Sequence, residues 1–223
     1  MQEIVLKIYS HVFYTFSTDF NRVINIVFIF AYSNCKYIDM SEIRKLKITE
    51  MNRLTVEEFK EADKLPLVVV LDEVRSLHNI GAVFRTSDAF LVNRIFLCGI
   101  TATPPNAEMH KTALGAENTV EWKYCQNTQD AVNELHEAGY TVLSIEQCEG
   151  STMLGDMVLD RDKKYAIVMG NEVKGVKQEV VDMCDGCIEI PQYGTKHSLN
   201  VSVTAGIVLW EFANKLIEFR NNC

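Results

Sequence analysis

The stretch LPLVVVLDEV, at residues 65–74, is a continuous apolar run rich in β-branched side chains. A run of this length and composition is typical of a strand that is covered on both faces of a sheet. Four similar runs follow along the chain, and each predicts a buried strand: RIFLCGI (Arg94–Ile100), YTVLSIE (Tyr140–Glu146), YAIVMG (Tyr165–Gly170) and CIEIP (Cys187–Pro191).

Helix-forming stretches lie between these runs, among them IGAVFRTSDAFL (Ile80–Leu91) and TQDAVNELHEAG (Thr128–Gly139). Strand–helix alternation predicts an α/β fold with a mainly parallel sheet and helices on both faces. One further amphipathic helix is expected before Pro66, from loosely helix-spaced apolar residues at Leu54, Val56, Phe59, Ala62 and Leu65.

The composition is that of an ordinary globular protein, with 48% hydrophobic and 23% charged residues. A length of 223 residues suits one well-buried domain. The net charge of −8 argues against extensive phosphate neutralisation, but a small enzyme needs only a local basic patch to touch one nucleic-acid loop. Seven scattered cysteines and no evident secretory leader predict reduced thiols in a cytoplasm.

Residues 1–39 read differently from the rest of the chain. The apolar stretch VINIVFIFAY (Val23–Tyr32) is too short to span a bilayer, so no membrane segment is expected. We hypothesise that natural translation starts at Met40 or Met51, which makes 1–39 an extension and 40–223 a single domain. The alternative is that 1–39 add a strand and a helix to the core.

Ligands of an open α/β sheet bind beyond the carboxyl ends of its strands, so the loops after the predicted strands are the places to search. In the first loop and the helix after it, Asn79 and Arg85 are six residues apart, with Gly81 where the loop is expected to turn into a helix. A helix start followed by an arginine is a reasonable anion or oxyanion site. The alternative interpretation is a helix cap and a solvated arginine.

Two later loops carry the same kind of signal. Gly170 and Gly175 indicate close backbone approach to a ligand, and Glu172 between them could pair with an arginine or simply begin a helix. Ser198 and Asn200 offer small hydrogen-bonding side chains directly before an apolar helix, where an ordinary N-cap is the alternative.

Taken together, the three segments resemble motifs 1, 2 and 3 of the SpoU/TrmH family of the SPOUT superfamily. Asn79–Phe90 resembles N-x-G-x-x-x-R-T-x-D-A-F, Gly170–Gly175 resembles G-N-E-x-x-G, and Ile190–Ile207 resembles I-P-x-x-G-x-x-x-S-L-N-V-S-V-x-x-G-I. KTALGAE (Lys111–Glu117) is also similar to a family segment. The resemblance extends from about Leu54 to Phe219.

This resemblance implies an S-adenosylmethionine-dependent RNA ribose 2′-O-methyltransferase with a C-terminal trefoil knot that functions as a homodimer. The cofactor would be held mainly by backbone groups of the knot loops, at Gly170, Ile190 and Leu199, with Ser198 close by. The loop around Ser144 to Glu146 is a less certain contact. The C-terminal helix agrees with a dimer, since one face cannot hide all of its large apolar residues: Ile207, Leu209, Trp210, Phe212, Leu216, Ile217 and Phe219.

The resemblance also implies catalytic roles. Arg85 would stabilise the developing oxyanion, with partial proton transfer, and Glu172 would hold its guanidinium in place. Asn79 would position the RNA phosphate or Arg85. Ser198 and Asn200 would shape the loop that joins cofactor to substrate.

Several alternatives stay open at this point. Transfer RNA is the expected substrate because no extra RNA-binding domain precedes the catalytic segments, but ribosomal RNA is also possible. A non-catalytic binding protein on the same fold and methylation of a protein or small molecule are further options. No metal is expected, since Cys184 and Cys187 form a single CxxC without a second pair. The lack of a Gly-rich nucleotide loop argues against oxidoreductases and NTPases.

Overall fold

The computed structural model describes residues 44–221, and the chain divides into two compact units between Asn52 and Arg53. In the described end of the first unit, Ile48–Glu50 form a single 3₁₀ turn. There the guanidinium of Arg44 pairs with the carboxylate of Glu50 at 3.0 Å. The expected extension 1–39 and its boundary lie outside the described residues.

The second unit contains a seven-stranded sheet and the helices around it. Its strands are β1 (Leu65–Asp72), β2 (Val92–Cys98), β3 (Glu121–Cys125), β4 (Tyr140–Ile145), β5 (Thr152–Met153), β6 (Lys164–Met169) and β7 (Gly186–Glu189). Its α-helices are α1 (Val56–Glu61), α2 (Leu77–Ala89), α3 (Ala107–Ala113), α4 (Thr128–Glu137), α5 (Gln178–Val181) and α6 (Val201–Asn221).

All strand pairs in this sheet are parallel, in the order β3-β2-β1-β6-β4-β7-β5. The central strand β1 sends Leu67, Val69 and Leu71 into one apolar layer and Val68 and Val70 into another. Side chains of α2 and α6 complete the first layer, and side chains of α4 and α5 complete the second. The expected α/β fold with a parallel sheet covered on both faces is therefore confirmed.

The five predicted strands correspond to β1, β2, β4, β6 and β7, whereas β3 and β5 were not predicted. The sequence of β3 is EWKYC, and its first four side chains are exposed because it forms an edge of the sheet. An edge strand needs no continuous apolar run. Strand β5 has only two residues, which is too short for any periodicity to show.

The predicted helix before Pro66 is shorter than expected. Helix α1 ends at Glu61 because Ala62 adopts an extended conformation, and of the expected apolar face only Phe59 is buried on this helix. Leu65 and Pro66 belong to β1 instead. Proline cannot donate to the ladder, and the register between β1 and β2 shifts at this point, between Leu65 and Val68.

Helix α2 begins earlier than the sequence indicated, so Gly81 lies inside the helix and not at its start. The Ser76 hydroxyl accepts a hydrogen bond from the Asn79 amide at 3.3 Å and caps the helix. A Cβ on Gly81 would lie 2.2 Å from the Thr112 hydroxyl oxygen and 2.3 Å from the Met109 carbonyl oxygen. The glycine therefore permits close packing of α2 against α3.

Two further expectations concern membrane segments and thiols. None of the helices within residues 44–221 has the length and apolar character needed to cross a membrane. Free thiols are found at Cys98, Cys125, Cys148, Cys184 and Cys187.

Candidate active site

A cleft of about 600 Å³ opens at the carboxyl ends of β4, β6 and β7. Its walls come from the three segments that follow these strands: residues 146–147, 170–176 and 190–200. This is the edge of a parallel sheet at which ligands of α/β proteins bind. The topology thus brings two of the three motif segments, those around Gly170 and Ser198, to one cleft.

Most of the residues predicted to contact a cofactor line this cleft, namely Gly170, Ile190, Ser198 and Leu199. Ser144 does not line it. Its side chain is buried within the sheet, and its hydroxyl donates to the Gly186 carbonyl at 3.4 Å.

Glu146 and Gln147, directly after β4, line the cleft in place of Ser144. Glu146 ends the loop around Ser144 to Glu146 that was expected as a less certain contact, whereas Gln147 was not predicted as a site residue. The position of Gln147 just after a buried strand was the signal in the sequence that could have found it.

The turn after β6 depends on glycine at two positions. Asn171 and Gly175 exchange backbone hydrogen bonds of 3.1 and 2.9 Å, which folds the segment back on itself. A Cβ on Gly170 would lie 2.1 Å from the Gly175 carbonyl carbon and 2.2 Å from the Val176 nitrogen. Gly175 itself has φ +66°, a conformation that other residues rarely adopt. The two glycines therefore set the shape of this wall.

Glu172, in the same turn, binds the start of α2 and not Arg85. Its carboxylate accepts the Arg75 amide at 3.0 Å, the Ser76 amide at 2.9 Å and the Asn79 side-chain amide at 3.0 Å. Partial burial opposes ionisation, but these hydrogen bonds outweigh it and lower the pKa of Glu172. The expected contact between Glu172 and the guanidinium of Arg85 does not occur within the described residues, where the backbone amides of Arg75 and Ser76 and the side chain of Asn79 bind the carboxylate.

Asn200 is both a helix cap and a member of the site. Its side-chain oxygen accepts the Ser202 amide at 2.9 Å at the start of α6, as an N-cap does. Its side-chain nitrogen donates to the side-chain oxygen of Asn79 at 3.2 Å. Asn79 in turn donates to Glu172, so one hydrogen-bonded chain, Asn200–Asn79–Glu172, joins all three motif segments.

Arg85 lies on the exposed side of α2 and is not among the cleft-lining residues. It follows Asn79 by six residues, which corresponds to about 9 Å along the helix axis. Within residues 44–221 its guanidinium has neither a hydrogen-bond partner nor an ion-pair partner. The side chain is therefore free to meet a substrate that approaches from solvent.

Acidic side chains outnumber lysine and arginine in the lining of the cleft. Three carboxylates line it, those of Glu146, Glu172 and Glu189, together with one lysine, Lys174. Exposed cations lie on or beside the motif segments, and no carboxylate within the described range pairs with them: Arg75, Arg85, Lys174 and Lys196. A negatively charged cleft suits a cationic small molecule, whereas exposed cations beside it suit a polyanion.

No group of three or more His, Cys, Asp or Glu side chains that could hold a metal ion occurs in the described part of the chain. In the CxxC pair, the Cys184 thiol donates to the Val180 carbonyl and the Cys187 thiol to the Glu146 carbonyl, each at 3.2 Å. Burial raises the pKa of Cys184 to about 12.

Comparison with known proteins shows which family the chain resembles. The model of the SpoU rRNA methylase family matches residues 66–210. A 23S rRNA (guanosine-2′-O-)-methyltransferase from Neisseria meningitidis is 35% identical over 146 residues, 66% of this chain and 57% of that protein. A tRNA (guanosine(18)-2′-O)-methyltransferase from Thermus thermophilus is 32% identical over 163 residues, 73% of this chain and 82% of that protein.

Solved structures agree with these sequence matches. A TrmH/SpoU tRNA modifying enzyme from A. aeolicus is similar at a TM-score of 0.64 and 28% identity, with 73% of this chain and 83% of that chain covered. An AdoMet-bound rRNA methyltransferase from Sinorhizobium meliloti has a TM-score of 0.63 and 28% identity, covering 71% of this chain and 60% of that chain. The chain spans less than two thirds of the length of its rRNA-type relatives, such as the Neisseria enzyme.

Proposed function

Since the chain belongs to the SpoU rRNA methylase family, we propose that it transfers a methyl group from S-adenosylmethionine to a ribose 2′-hydroxyl of RNA. The observation that carries this proposal is the hydrogen-bonded chain Asn200–Asn79–Glu172. It joins the three motif segments beside a cleft of suitable size, and each of its members is a polar residue predicted for the site.

The residues of the cleft fit S-adenosylmethionine. The cofactor carries a positive sulfonium, and the three carboxylates of the lining favour a cation. Gly170, Ile190 and Leu199 would contact it mainly through backbone groups, as the glycine-dependent turn after β6 allows, with Ser198 beside them. When bound, the cofactor supplies an electrophilic methyl group.

The remaining chemistry belongs to side chains of the protein. A ribose 2′-hydroxyl must lose its proton as it is methylated, and negative charge develops on its oxygen. The free guanidinium of Arg85 would stabilise that charge as a hydrogen-bond donor, because an arginine with a pKa above about 12 is a poor general base. Asn79, fixed by Glu172 and Asn200, would position the RNA, and Ser198 and Asn200 would shape the loop between cofactor and substrate.

Transfer RNA is the substrate that we propose first. The match covers 82% of the Thermus tRNA enzyme and 57% of the Neisseria rRNA enzyme. Ribosomal RNA is the second candidate, favoured by the higher identity of 35% to the rRNA enzyme. The unpaired cations Arg75, Lys174 and Lys196 support a polyanionic substrate of either kind, and RNA as substrate is also the reason for proposing a cytoplasmic location.

We also propose that the protein is a homodimer and that its C-terminal part forms the trefoil knot implied by the family resemblance. The dimer is supported by an exposed apolar stripe on α6 (Val203, Ile207, Trp210 and Ile217). The knot is supported by the match of residues 66–210 to the family model.

The substrate can be identified in a strain that lacks the gene. Mass spectrometry of nucleosides from separated tRNA and rRNA fractions should show the loss of one 2′-O-methylated nucleoside, in the tRNA fraction if the first candidate is right. Unchanged ribose methylation in both fractions would favour a non-catalytic binding protein or a methyltransferase for proteins or small molecules.

A further inference from the structure

We infer that Glu146 and Gln147 are positioning residues that tie together the two loops forming the walls of the cofactor cleft. They are the two residues directly after β4, and we call them the clamp. One wall is the turn 170–176 and the other is the segment 190–200. The inference rests on the proposed function only for the identity of the ligand.

Glu146 binds the first wall. One carboxylate oxygen, Oε2, accepts the Val176 amide at 3.0 Å, and the other, Oε1, accepts the Gln147 amide at 2.9 Å. A Cβ on Gly175 would lie 2.0 Å from Oε2, so this approach requires glycine there. The carboxylate is thus used to fix the turn and to orient Gln147, which leaves it little capacity to bind a ligand directly.

Gln147 binds the second wall. Its side-chain nitrogen donates to the His197 carbonyl at 2.7 Å. The bond has only one possible direction, because a carbonyl oxygen accepts and does not donate. Glu146 and Gln147 together therefore form a continuous connection from the backbone of Val176 to the backbone of His197.

The second wall has few other constraints. Between Pro191 and Asn200 the chain has no regular secondary structure, and most of its side chains are exposed. Besides the cap that Asn200 forms on α6, two side-chain hydrogen bonds among the described residues tie this segment to others, that of Gln147 to His197 and that of Asn200 to Asn79. Ser198 and Leu199, the predicted cofactor contacts, lie between these two ties.

This placement gives the clamp its role. When a loop becomes ordered only as its ligand binds, the loss of conformational entropy weakens the affinity. A loop that is already held in place does not incur this loss. The clamp therefore holds Ser198 and Leu199 in a binding-competent position before the cofactor arrives. It does not touch the RNA-facing side of α2, where Arg85 lies.

The test removes the donor from Gln147. Gln147→Met has similar length but no donor, Gln147→Glu has only acceptors facing the carbonyl, and Gln147→Lys retains a donor. Gln178→Met is the matched control, since Gln178 is an exposed glutamine whose side-chain bond to Asp182 at 2.7 Å lies outside the cleft. Calorimetry measures S-adenosylmethionine affinity, and hydrogen exchange of the ligand-free protein measures protection in the peptide covering 194–200.

Losing one hydrogen bond should weaken cofactor binding about three- to tenfold in Gln147→Met and more in Gln147→Glu, with partial recovery in Gln147→Lys. Exchange in 194–200 should be faster in both weakened variants and unchanged in the control. The melting temperature of the Gln147 variants should stay close to that of the unmodified protein, because only the loop is released. The Gln178→Met control should keep the melting temperature, the cofactor affinity and the kcat of the unmodified protein.

Each other outcome is decisive. Unchanged affinity and unchanged exchange in Gln147→Met would overturn the clamp. Weaker binding without faster exchange would make Gln147 a direct ligand contact and would overturn its positioning role. If the unmodified protein binds no S-adenosylmethionine, the proposed function fails, whereas the exchange measurement still tests whether Gln147 holds the loop.

Discussion

The side chain of Asn200 donates to the side chain of Asn79 at 3.2 Å, although the two residues are 121 positions apart in sequence. Asn200 caps α6 with its oxygen and reaches Asn79 on α2 with its nitrogen. The sequence offered an N-cap and a site residue as alternative roles for Asn200. The side chain of Asn200 has both roles. Because Asn79 also binds Glu172, a change at any of the three positions should affect the other two.

Glu172→Gln should lower the free energy of unfolding by about 1–2 kcal/mol, because an amide cannot accept from all three N–H donors that the carboxylate binds. Glu57→Gln, an exposed carboxylate on α1, is the matched control. Chemical denaturation at neutral pH measures the difference. Equal stability of the two variants would show that these hydrogen bonds contribute little.

The pH dependence of the same variant follows from the lowered pKa of Glu172. A carboxyl group with a depressed pKa in the folded state contributes stability above its unfolded pKa, and this contribution is lost as the pH falls through the folded value. Between about pH 5 and pH 3, the unmodified protein should therefore lose more stability than Glu172→Gln. Parallel losses in the two proteins would contradict this account.

Gly170→Ala should destabilise the protein by about 1–3 kcal/mol, since its Cβ would meet the backbone of Gly175 at 2.1 Å. Gly194→Ala is the control, because a Cβ there meets nothing within 4 Å and its φ is not positive. Thermal unfolding of both variants measures the effect. A Gly170→Ala protein with the melting temperature and cofactor affinity of the control would show that the turn can relax.

Arg85→Ala should reduce methyl transfer about 100- to 1000-fold while leaving S-adenosylmethionine affinity nearly unchanged. The reason is that Arg85 lies outside the cleft and has a free guanidinium. Arg85→Lys should recover little, since a point charge does not reproduce the planar fork of donors. Calorimetry with cofactor alone, beside tritium transfer to RNA, separates the two steps. Normal turnover would remove Arg85 from the mechanism.

The exposed stripe of α6 should form the centre of a homodimer interface. Trp210 remains 58% exposed and Val203 52% exposed in the single chain, although Trp210 packs edge-on against Phe90. Trp210→Glu should shift sedimentation to the monomer at micromolar concentration, whereas Val158→Glu, at a 90% exposed valine outside α6, should not. A monomeric unmodified protein would contradict the dimer.

The sequence predicted the fold wherever burial leaves a continuous apolar run. Strand β1 was found because its alternate side chains enter two apolar layers, and β3 was missed because the edge position leaves Trp122 and Tyr124 exposed. The C-terminal helix shows the same limit. The sequence predicted more apolar side chains on this helix than one face can bury. Leu209, Phe212 and Leu216 are buried within the unit, so only the exposed stripe of α6 is left for a partner.

The site was predicted by residue type but not by contact. Asn79, Glu172 and Asn200 were identified, yet the sequence paired Glu172 with an arginine, since it does not show that the amides at the start of α2 are closer. Of the expected contact loop around Ser144 to Glu146, only the end beyond the strand reaches the cleft, because Ser144 still lies inside β4 and Glu146 follows its last residue. The role of Arg85 cannot be predicted from contacts within the protein, because its partner in the reaction would be the RNA.

The most direct test of the central claim locates the methyl group on the RNA. The protein is incubated with tritiated S-adenosylmethionine and unmodified tRNA or rRNA, and the product is digested with alkali. Because alkaline cleavage uses the 2′-hydroxyl as nucleophile, a 2′-O-methyl group protects the adjacent phosphodiester. The account predicts label in an alkali-resistant dinucleotide, and a rate of labelling about 100- to 1000-fold lower with Arg85→Ala. Label recovered in mononucleotides as a methylated base, or no transfer to any RNA, would contradict it.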